Sequence, residues 1–491
     1  MNLATILYKK GPKNKKVFLY FNQQEYTFED AEKRSSSIAN YLQANGIKPD
    51  DKVAIISGNR PEFIFSYFGI LKVGGIVVPV NPLLTPFELS YILEHSDTKF
   101  VIYDDQLKPK LQHIKINSLA MGQISSLEYK PFIPLDRNDH DVAAILYTSG
   151  TTGRPKGAML THKNLLSNIK SVSKAIQCDE KDKFILVLPL FHSFGATVGM
   201  LTPINLNASI ILLPRFTPES VLESISKQKG TVFLGVPSMF SLLSMVKEEE
   251  IAGFDLSSWR FCISGGAPLP TAVLEAFERK YGVMIYEGDG PTECSPVTSV
   301  NPIGGKRKIG SIGTPIPDVK MAIMDDNCNL LPPGSEGEIV VKGPNVFKGY
   351  YKDEQATKES FCGEYFRTGD IGKMDEEGYF YIIDRKKDMI IVNGMNVYPR
   401  EIEELLYKID GIKEAACIGK PHHLHGEIPV CYIVIEEGKK VDIKQINQEL
   451  RKYLAPYKVP RSIEIVESLP KTSTGKISKV LLREKVLGKQ S

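Results

Sequence analysis

The sequence predicts an α/β protein with a large N-terminal domain of α/β sheets, a β-rich subdomain and a small α+β C-terminal domain. Three observations support this fold class. From about residue 50 to residue 300, short β-rich runs alternate with helical patterns, which is typical of largely parallel sheets. From about 305 to 384, glycine and proline punctuate β segments such as 337–341. A run of charged residues then precedes a second set of helical and β patterns.

The elements of the N-terminal domain are predicted from hydrophobic periodicity. Segment 271–280 places Val273, Leu274 and Phe277 on one face of a helix, so it is expected to pack against a sheet. The apolar runs expected to form buried strands are 52–56, 100–103, 184–188, 210–213 and 283–286.

The boundary between the two domains is predicted at the charged run 384–388. Charge runs are usually solvated loops, but here helical patterns near 401–408 and 443–454 follow, with β-rich runs between them. About 100 residues suffice for an independent domain. We therefore predict one domain at 1–384 and a mobile domain at 385–491, with the hinge at 384–388.

Composition excludes several classes of protein. The 491 residues are 42% hydrophobic, which is enough for a large core, and the net charge of +3 is too small to indicate a nucleic-acid partner. No apolar run reaches the roughly 18 residues that span a bilayer, and no secretion signal is evident at the start. The seven cysteines are scattered without a CxxC pair, which predicts reduced, mostly structural thiols in a cytoplasmic protein. Peripheral membrane contact is left open.

The most distinctive segment is the loop 147–157, which follows an apolar run expected to be a buried strand. Glycines let its backbone close on an anion, hydroxyls add donors, and lysine adds a charge suited to phosphate. The spacing is not that of a Walker A loop. The loop therefore predicts a polyphosphate clamp, whose residues are Thr148, Ser149, Gly150, Thr151, Thr152, Gly153 and Lys156.

Three further clusters carry polar side chains suited to a nucleotide. Thr292 can donate to a phosphate oxygen, and Glu293 is a hard oxygen ligand suited to Mg²⁺. Asp370 stands in a tight turn, where a carboxylate can accept ribose hydroxyls, and Arg385 follows downstream. Lys476 lies in a polar loop near the C-terminus. Singly, each of these residues also fits a turn or a solvated surface.

Together and in this order, the clusters resemble those of the adenylate-forming superfamily of acyl-CoA synthetases, luciferases and nonribosomal adenylation domains. The resemblance covers about residues 25 to 485. The motifs that carry it are YTSGTTGRPKGAMLTH at 147–162, GDGPTE at 288–293, YFRTGDIG at 365–372, DRKKDMIIVNGMNVYPREIE at 384–403 and PKTSTGKI at 470–477.

The resemblance implies a reaction in two steps. A carboxylic acid is joined to AMP from MgATP with release of pyrophosphate, and the acyl group then passes to the thiol of coenzyme A. Lys476 is implied to bridge the carboxylate and the α-phosphate, while Thr292 and Glu293 hold the α-phosphate and Mg²⁺, with Thr152 as a second metal contact. Asp370 and Arg385 are implied to hold the ribose. The other residues implied at the nucleotide or CoA are Gly266, Ala267, Pro268, Glu287, Gly288, Asp289, Ile382, Lys387 and Gly394.

For the second step, the resemblance implies that the small domain turns about Lys387. The loop around Gly394 would then line the tunnel for the CoA thiol. Asp289 departs from the pattern, because most relatives have an aromatic ring there that stacks on adenine. Its absence predicts a weaker hold on the base, since such stacking contributes roughly 0.5–1.5 kcal/mol.

The acid is expected to be a medium- or long-chain fatty acid. The stretch 188–195 has no carboxylate to hold a substrate ammonium, so a free amino acid is disfavoured, and the pocket segments 233–239 and 265–266 are apolar or glycine-rich. An aryl acid, a carrier-protein acceptor in place of CoA, and a non-catalytic nucleotide or acyl-CoA sensor remain alternatives. The expected protein is a monomer or a homodimer. The residues implied around the acid are His192, which is also implied to be catalytic, Phe194, Val236, Gly265, Gly288 and Pro291.

Overall fold

The computed structural model describes residues 1–113, 115–148, 155–472 and 475–487, with Leu487 described by its backbone alone. Two large sheets, flanked by helices, form most of the N-terminal domain. Their strands are β1 Val17–Phe21, β2 Gln24–Thr27, β3 Lys52–Ile56, β4 Ile76–Val80, β5 Thr98–Tyr103, β6 Asn117–Ala120, β7 Val142–Thr148, β8 Lys156–Thr161, β9 Lys183–Leu186, β10 Ser209–Leu212, β11 Val232–Gly235, β12 Phe261–Ser264, β13 Ile285–Asp289, β14 Ser299–Val300 and β15 Thr314–Pro315.

Two further sheets follow along the chain. The strands of the β-rich subdomain, together with one strand (β19) that pairs with β8, are β16 Lys320–Met324, β17 Leu330–Leu331, β18 Glu336–Lys342, β19 Gly349–Tyr350, β20 Phe361–Cys362, β21 Tyr365–Met374 and β22 Phe380–Arg385. Those of the C-terminal domain are β23 Ile390–Val392, β24 Met395–Val397, β25 Ile412–His422, β26 Gly426–Ile435 and β27 Ser462–Ile465.

Helices cover the faces of these sheets. The α-helices are α1 Thr5–Tyr8, α2 Phe28–Ala44, α3 Pro61–Lys72, α4 Pro86–His95, α5 His162–Ala175, α6 Thr202–Leu206, α7 Pro218–Gln228, α8 Pro237–Ser244, α9 Glu248–Ile251, α10 Thr271–Tyr281, α11 Glu354–Glu359, α12 Pro399–Tyr407, α13 Ile443–Tyr453 and α14 Lys479–Leu487. A π-helix spans Gly195–Leu201, and 3₁₀ helices span Asp105–Leu111, Met121–Ser126 and Thr292–Cys294. No helix in the described part of the chain has the length and hydrophobicity needed to cross a membrane.

The strand order places several loops at one edge of the first sheet. The sheet runs β15-β14-β13-β12-β11-β9-β10-β1-β2, and strands β11, β12 and β13 are parallel neighbours. Their carboxyl ends therefore bring Val236, Gly265 and Asp289 to the same edge, where α/β proteins bind ligands. The second sheet runs β19-β8-β7-β4-β3-β5-β6, and β7 and β8, which precede and follow most of the predicted phosphate loop in the sequence, are antiparallel neighbours.

The β-rich subdomain is an antiparallel sheet in the order β17-β16-β18-β21-β20, with β22 also paired to β21. Cys328, in the turn between β16 and β17, forms a disulfide with Cys362 on β20, and their Cα atoms are 6.1 Å apart. The expectation that all the cysteines are free thiols is therefore wrong for this pair. The two cysteines are 34 positions apart, and nothing in the sequence indicated that the fold brings them together. The other five cysteines are free and buried.

The C-terminal domain has its own sheet, in the order β24-β23-β26-β25 with β27 on β26. Side chains alternate between its faces, as the period of a strand requires. Cys417 points to the face covered by α12 and α13, whereas Ile418 packs on the other face with Leu482 of α14. The helices predicted near 401–408 and 443–454 are α12 and α13.

Candidate active site

A cavity of about 390 Å³ lies where the two domains meet, and it gathers most of the residues predicted at the nucleotide. It is lined by loops after β11, β12 and β13, by β21 and β22, and by the Lys476 loop of the C-terminal domain. The predicted residues on its wall are Val236, Gly266, Ala267, Pro268, Glu287, Gly288, Asp289, Asp370, Ile382, Arg385, Lys387 and Lys476.

Lys476 reaches into this cavity from the C-terminal domain. A Cβ atom built at Gly266, whose φ is 80°, would lie 2.8 Å from its Nζ, so a side chain there would push the ammonium out of this position. The loop is held to the N-terminal domain by Ser238, whose hydroxyl donates to the Gly475 carbonyl over 3.2 Å. Burial, together with the nearby Arg385, lowers the pKa of Lys476 to about 8. The two domains therefore place a lysine ammonium in the cavity between them.

The turn residue Asp370 is paired with Arg385. The two face each other across β21 and β22, and Asp370 Oδ1 lies 2.6 Å from Arg385 Nε. Asp370 is 3% exposed, and burial raises its pKa while Arg385 opposes the rise. The carboxylate is therefore fixed in orientation at the cavity wall, as a group that accepts two hydroxyls must be.

Thr292 and Glu293 form the short 3₁₀ helix after β13. Glu293 Oε1 accepts a hydrogen bond from the Tyr350 hydroxyl over 2.8 Å, and the Thr292 hydroxyl is 3.1 Å from that of Ser193. Burial raises the pKa of Tyr350, which keeps it a donor. Tyr350 thus fixes one carboxylate oxygen, and the carboxylate and hydroxyl oxygens together suit a hard cation such as Mg²⁺.

The predicted phosphate clamp is described at its two ends. Thr148 and Lys156 are partners across the β7–β8 hairpin, and Lys156 Nζ lies 5.3 Å from the centre of the Tyr350 ring. Lys156 and Glu293 therefore both lie beside Tyr350. The clamp residues Ser149, Gly150, Thr151, Thr152 and Gly153 lie outside the described residues.

A second, narrow cavity of about 50 Å³ opens beside the first. Asp289 and Lys476 line both cavities, so they stand at the junction. Phe194 packs against Gly265, where a Cβ atom would lie 3.2 Å from its ring. The other lining residues are mostly apolar or small and include Val172, Ala175, Ile176, His192, Val198, Ile263, Gly265, Gly288, Val297, Val300 and Ile316.

His192 is neutral in this environment. Burial, and secondarily Lys476, lowers its pKa to about 3. The Phe194 amide donates to His192 Nδ1 over 3.3 Å, which leaves the proton on Nε2. His192 can therefore donate a hydrogen bond inside the narrow cavity without adding a charge.

Besides Thr148, Lys156, Thr292 and Glu293, two more of the described predicted residues line neither cavity. Pro291 precedes the 3₁₀ helix, and Gly394 stands in the turn between β23 and β24 with a φ of 78°. Sequence reasoning also missed Tyr350, and it included Ser238 only as part of the pocket segment 233–239, without its contact to the Lys476 loop. Tyr350 reaches Glu293 only because β19 pairs with β8, and no local sequence signal announces that pairing.

The charge of Lys476 should make the first step depend on pH. Because the ammonium must be charged to attract anions, kcat/KM for the first step is expected to fall as the pH rises through about 8, the pKa of Lys476. His192 titrates near 3 and cannot cause this limb. In Lys476→Arg the guanidinium stays charged, so the residual activity should lose the limb. A limb that stays at the same pH in the Arg variant would contradict the assignment.

Comparisons with known proteins agree on one family. A sequence model described as AMP-binding enzyme matches residues 9–351, and one for the C-terminal domain of AMP-binding enzymes matches residues 401–476. The chain is 38% identical to a long-chain-fatty-acid–CoA ligase of Bacillus subtilis, over 96% of this chain and 91% of the relative. It is 34% identical to a feruloyl-CoA synthase of Amycolatopsis, over 94% of each chain.

Solved structures support the same comparison. ATP-bound MatB from Rhodopseudomonas palustris superposes with a TM-score of 0.93 at 33% identity, covering 99% of this chain and 98% of that one. A benzoate CoA ligase from Burkholderia xenovorans superposes with a TM-score of 0.90 at 25% identity, covering 99% of this chain and 100% of that one. The two solved structures thus share the fold of this chain, and the relatives whose names state an acid differ in that acid.

Proposed function

The chain belongs to the AMP-binding enzymes of the adenylate-forming superfamily and is an AMP-forming acyl-CoA synthetase; from this premise we propose that its acid is a medium- or long-chain fatty acid. The observation that carries the proposal is the narrow cavity at the Lys476 junction. The two domains are proposed to be joined at the hinge 384–388. The arrangement in which Lys476 reaches the cavity is proposed to carry out the first half-reaction.

The first half-reaction must overcome repulsion between two anions. A carboxylate oxygen attacks the α-phosphorus of ATP, and the bond to pyrophosphate breaks. Charge on the phosphate oxygens then has to be neutralised, and fixed cations and donors are the groups that do this best. Lys476 lies where it can contact both the acid, from the narrow cavity, and the nucleotide, from the large one. Its single ammonium is proposed to hold the two reacting groups together.

The remaining polar groups are proposed to hold ATP in place. Asp370, oriented by Arg385, would accept the ribose hydroxyls, and Lys156 would attract the β- and γ-phosphates. Glu293 and Thr292 have the oxygen donors to hold Mg²⁺, which when bound neutralises phosphate charge. Tyr350 restricts the Glu293 carboxylate to one orientation, so its remaining oxygen is available to a cation.

The lining and charge of the narrow cavity support an alkyl acid. At about 50 Å³ it is smaller than the roughly 150 Å³ cavity that admits benzene and smaller than a whole fatty acid, so the apolar lining, and not the volume, favours an alkyl chain. Among its described lining residues, Lys476 is the sole cation and His192 is neutral, so a second carboxylate would find no partner. A longer chain is proposed to extend by displacing side chains of α5. An aryl acid is the second candidate, because the feruloyl-CoA synthase and benzoate CoA ligase are named for such acids.

Filling the cavity at α5 should shorten the preferred chain. Ala175 lines the cavity, so Ala175→Phe is expected to reduce kcat/KM for palmitate about tenfold or more while octanoate loses much less. The matched control is Ala252→Phe, at an exposed position after α9. The measurement is acyl-CoA formation over a series of fatty acids. An equal loss for all chain lengths would show that the chain does not follow this path.

The acceptor is tested separately. We propose free CoA, and a ligase that loads a carrier protein is the alternative. Acyl transfer from the preformed adenylate should be fast with CoA and slow with a carrier protein that bears phosphopantetheine. The reverse order would reassign the acceptor. Absence of pyrophosphate release with every acid tested would instead favour a nucleotide or acyl-CoA sensor.

A further inference from the structure

The Cys328–Cys362 disulfide joins two parts of the β-rich subdomain that lie near the hinge. Cys328 is exposed in the turn 325–329, and Cys362 is partly exposed on β20. The strand paired with β20 is β21, which also carries Asp370. The five other cysteines are buried, so this pair is the one that a dissolved thiol or disulfide can reach. The bond therefore lies between an exposed turn and the strand that supports the nucleotide site.

The turn that carries Cys328 also contacts the hinge. Asp325 shapes the turn, because its carboxylate accepts from the amides of Asn327 and Asn329 over 2.9 Å and 2.8 Å. Asp326, the next residue, accepts from Lys386 Nζ over 2.6 Å. Asp326 is 82% exposed, and its carboxylate lies 3.8 Å from Arg367 besides its contact with Lys386, so these two cations are the charged groups that hold it.

Lys386 is connected in turn to the nucleotide site. Its amide donates to the Gly369 carbonyl over 2.9 Å, and its ammonium lies 3.6 Å from Glu338. Glu338 also accepts from the Gly369 amide over 3.0 Å, next to Asp370. Lys386 directly precedes Lys387, the proposed pivot. The disulfide-bonded turn thus contacts Lys386, the residue next to the pivot. It does so in the domain arrangement that places Lys476 at the cavity.

We propose that Cys328 and Cys362 are a reversible oxidation site that controls the second half-reaction. The inference rests on the proposed function, because it assumes that the small domain turns at 384–388 between the two steps. In the oxidised form, the disulfide fixes the turn 325–329 and holds Asp326 against Lys386. This contact favours the arrangement for adenylate formation. Reduction releases the turn, so the domain leaves that arrangement more readily.

The chemistry is thiol–disulfide exchange with a low-molecular-weight disulfide as the oxidant. The thiolate of Cys328 attacks one sulfur of the oxidant and releases one thiol, giving a mixed disulfide. Cys362 then attacks the Cys328 sulfur and releases the second thiol. The two cysteines lose two electrons and two protons in all, and the oxidant is reduced to two thiols. A dithiol reverses both steps.

The experiment compares the oxidised and reduced full-length protein by two readouts. The first is the rate of acyl transfer from preformed acyl-adenylate to CoA, with the free thiols counted after each run because CoA is itself a thiol. The second is the rate of trypsin cleavage after Arg385, Lys386 and Lys387, which does not depend on activity. Oxidation should slow both about two- to fivefold, the range expected for one partly exposed ion pair. Pyrophosphate release in the first step should stay unchanged.

Variants identify the route of the effect. Asp326→Asn should abolish the difference between the oxidised and reduced forms, and Cys362→Ser should behave as the reduced form under both conditions. The matched control is Glu364→Gln, which removes an exposed ion pair with Lys342 in the same subdomain and should keep the difference.

The outcomes separate the two proposals. Equal trypsin cleavage and equal acyl transfer in the oxidised and reduced forms would overturn the inference, and so would an effect that persists in Asp326→Asn. If cleavage differs while neither form makes acyl-adenylate from any acid, the oxidation-sensitive hinge stands and the proposed function fails.

Discussion

Lys476→Ala should abolish adenylate formation and leave acyl transfer from supplied acyl-adenylate largely intact. The ammonium is the group placed at the junction of the two cavities, and removing one preorganised donor at such a site costs about 10²–10³ in rate. Acyl transfer should be spared, because the loop is proposed to leave the cavity before the thiol enters. The measurement follows pyrophosphate release and acyl-CoA formation separately.

The control for this variant lies in the same loop. Lys471 is paired with Glu414 at 2.5 Å on the surface, so Lys471→Ala should lose little in either step. Equal loss of both half-reactions in Lys476→Ala would contradict the two-site account. It would mean that the lysine serves the structure of the domain or both reactions alike.

Lys387→Pro should have the reciprocal effect, with adenylate formation retained and acyl transfer lost by about 10² or more. Proline fixes φ near −65°, so a pivot at this position could no longer turn. Strand β22 ends at Arg385 and strand β23 begins at Ile390, so Lys387 lies in the turn between two strands. Domain motion of this kind completes two sites in sequence, and blocking it should stop only the second.

The matched variant is Lys387→Ala, which removes the side chain but keeps the backbone free to rotate. It should retain acyl transfer within a few-fold. If Lys387→Pro transfers the acyl group at the normal rate, the pivot lies elsewhere. If both variants lose adenylate formation, Lys387 acts through its side chain at the cavity wall, which it lines.

The sequence predicted the part of the site that local patterns encode. The strand before the phosphate loop is β7, helix 271–280 is α10, and the residues at the ends of β11, β12 and β13 converge as parallel strands require. The predicted fold class, with a large N-terminal and a small C-terminal domain, and the enzyme class are confirmed by the comparisons, whereas the boundary at 384–388 stays a prediction. The resemblance, rather than any single cluster, placed Lys476 beside residues about 200 positions away.

What the sequence did not reveal depends on pairing between distant segments. Tyr350 meets Glu293 through the β19–β8 ladder, and Cys328 meets Cys362 although 34 positions separate them in the chain. Neither contact has a local signature. The position of Asp289 also emerged only from the structure. Asp289 lines both cavities together with Lys476, whereas the sequence indicated only that the usual aromatic ring is absent there.

We propose that one site makes a fatty acyl-adenylate and that a second arrangement of the same chain passes it to CoA. The measurement mixes the enzyme with ATP, Mg²⁺ and palmitate without CoA, and then adds CoA. About one equivalent of pyrophosphate and bound acyl-adenylate per enzyme should form at first, followed by AMP and palmitoyl-CoA. Benzoate and a short dicarboxylic acid should give little of either product. Acyl-CoA formed from one of these two acids and not from palmitate, or no pyrophosphate with palmitate, would contradict the proposal.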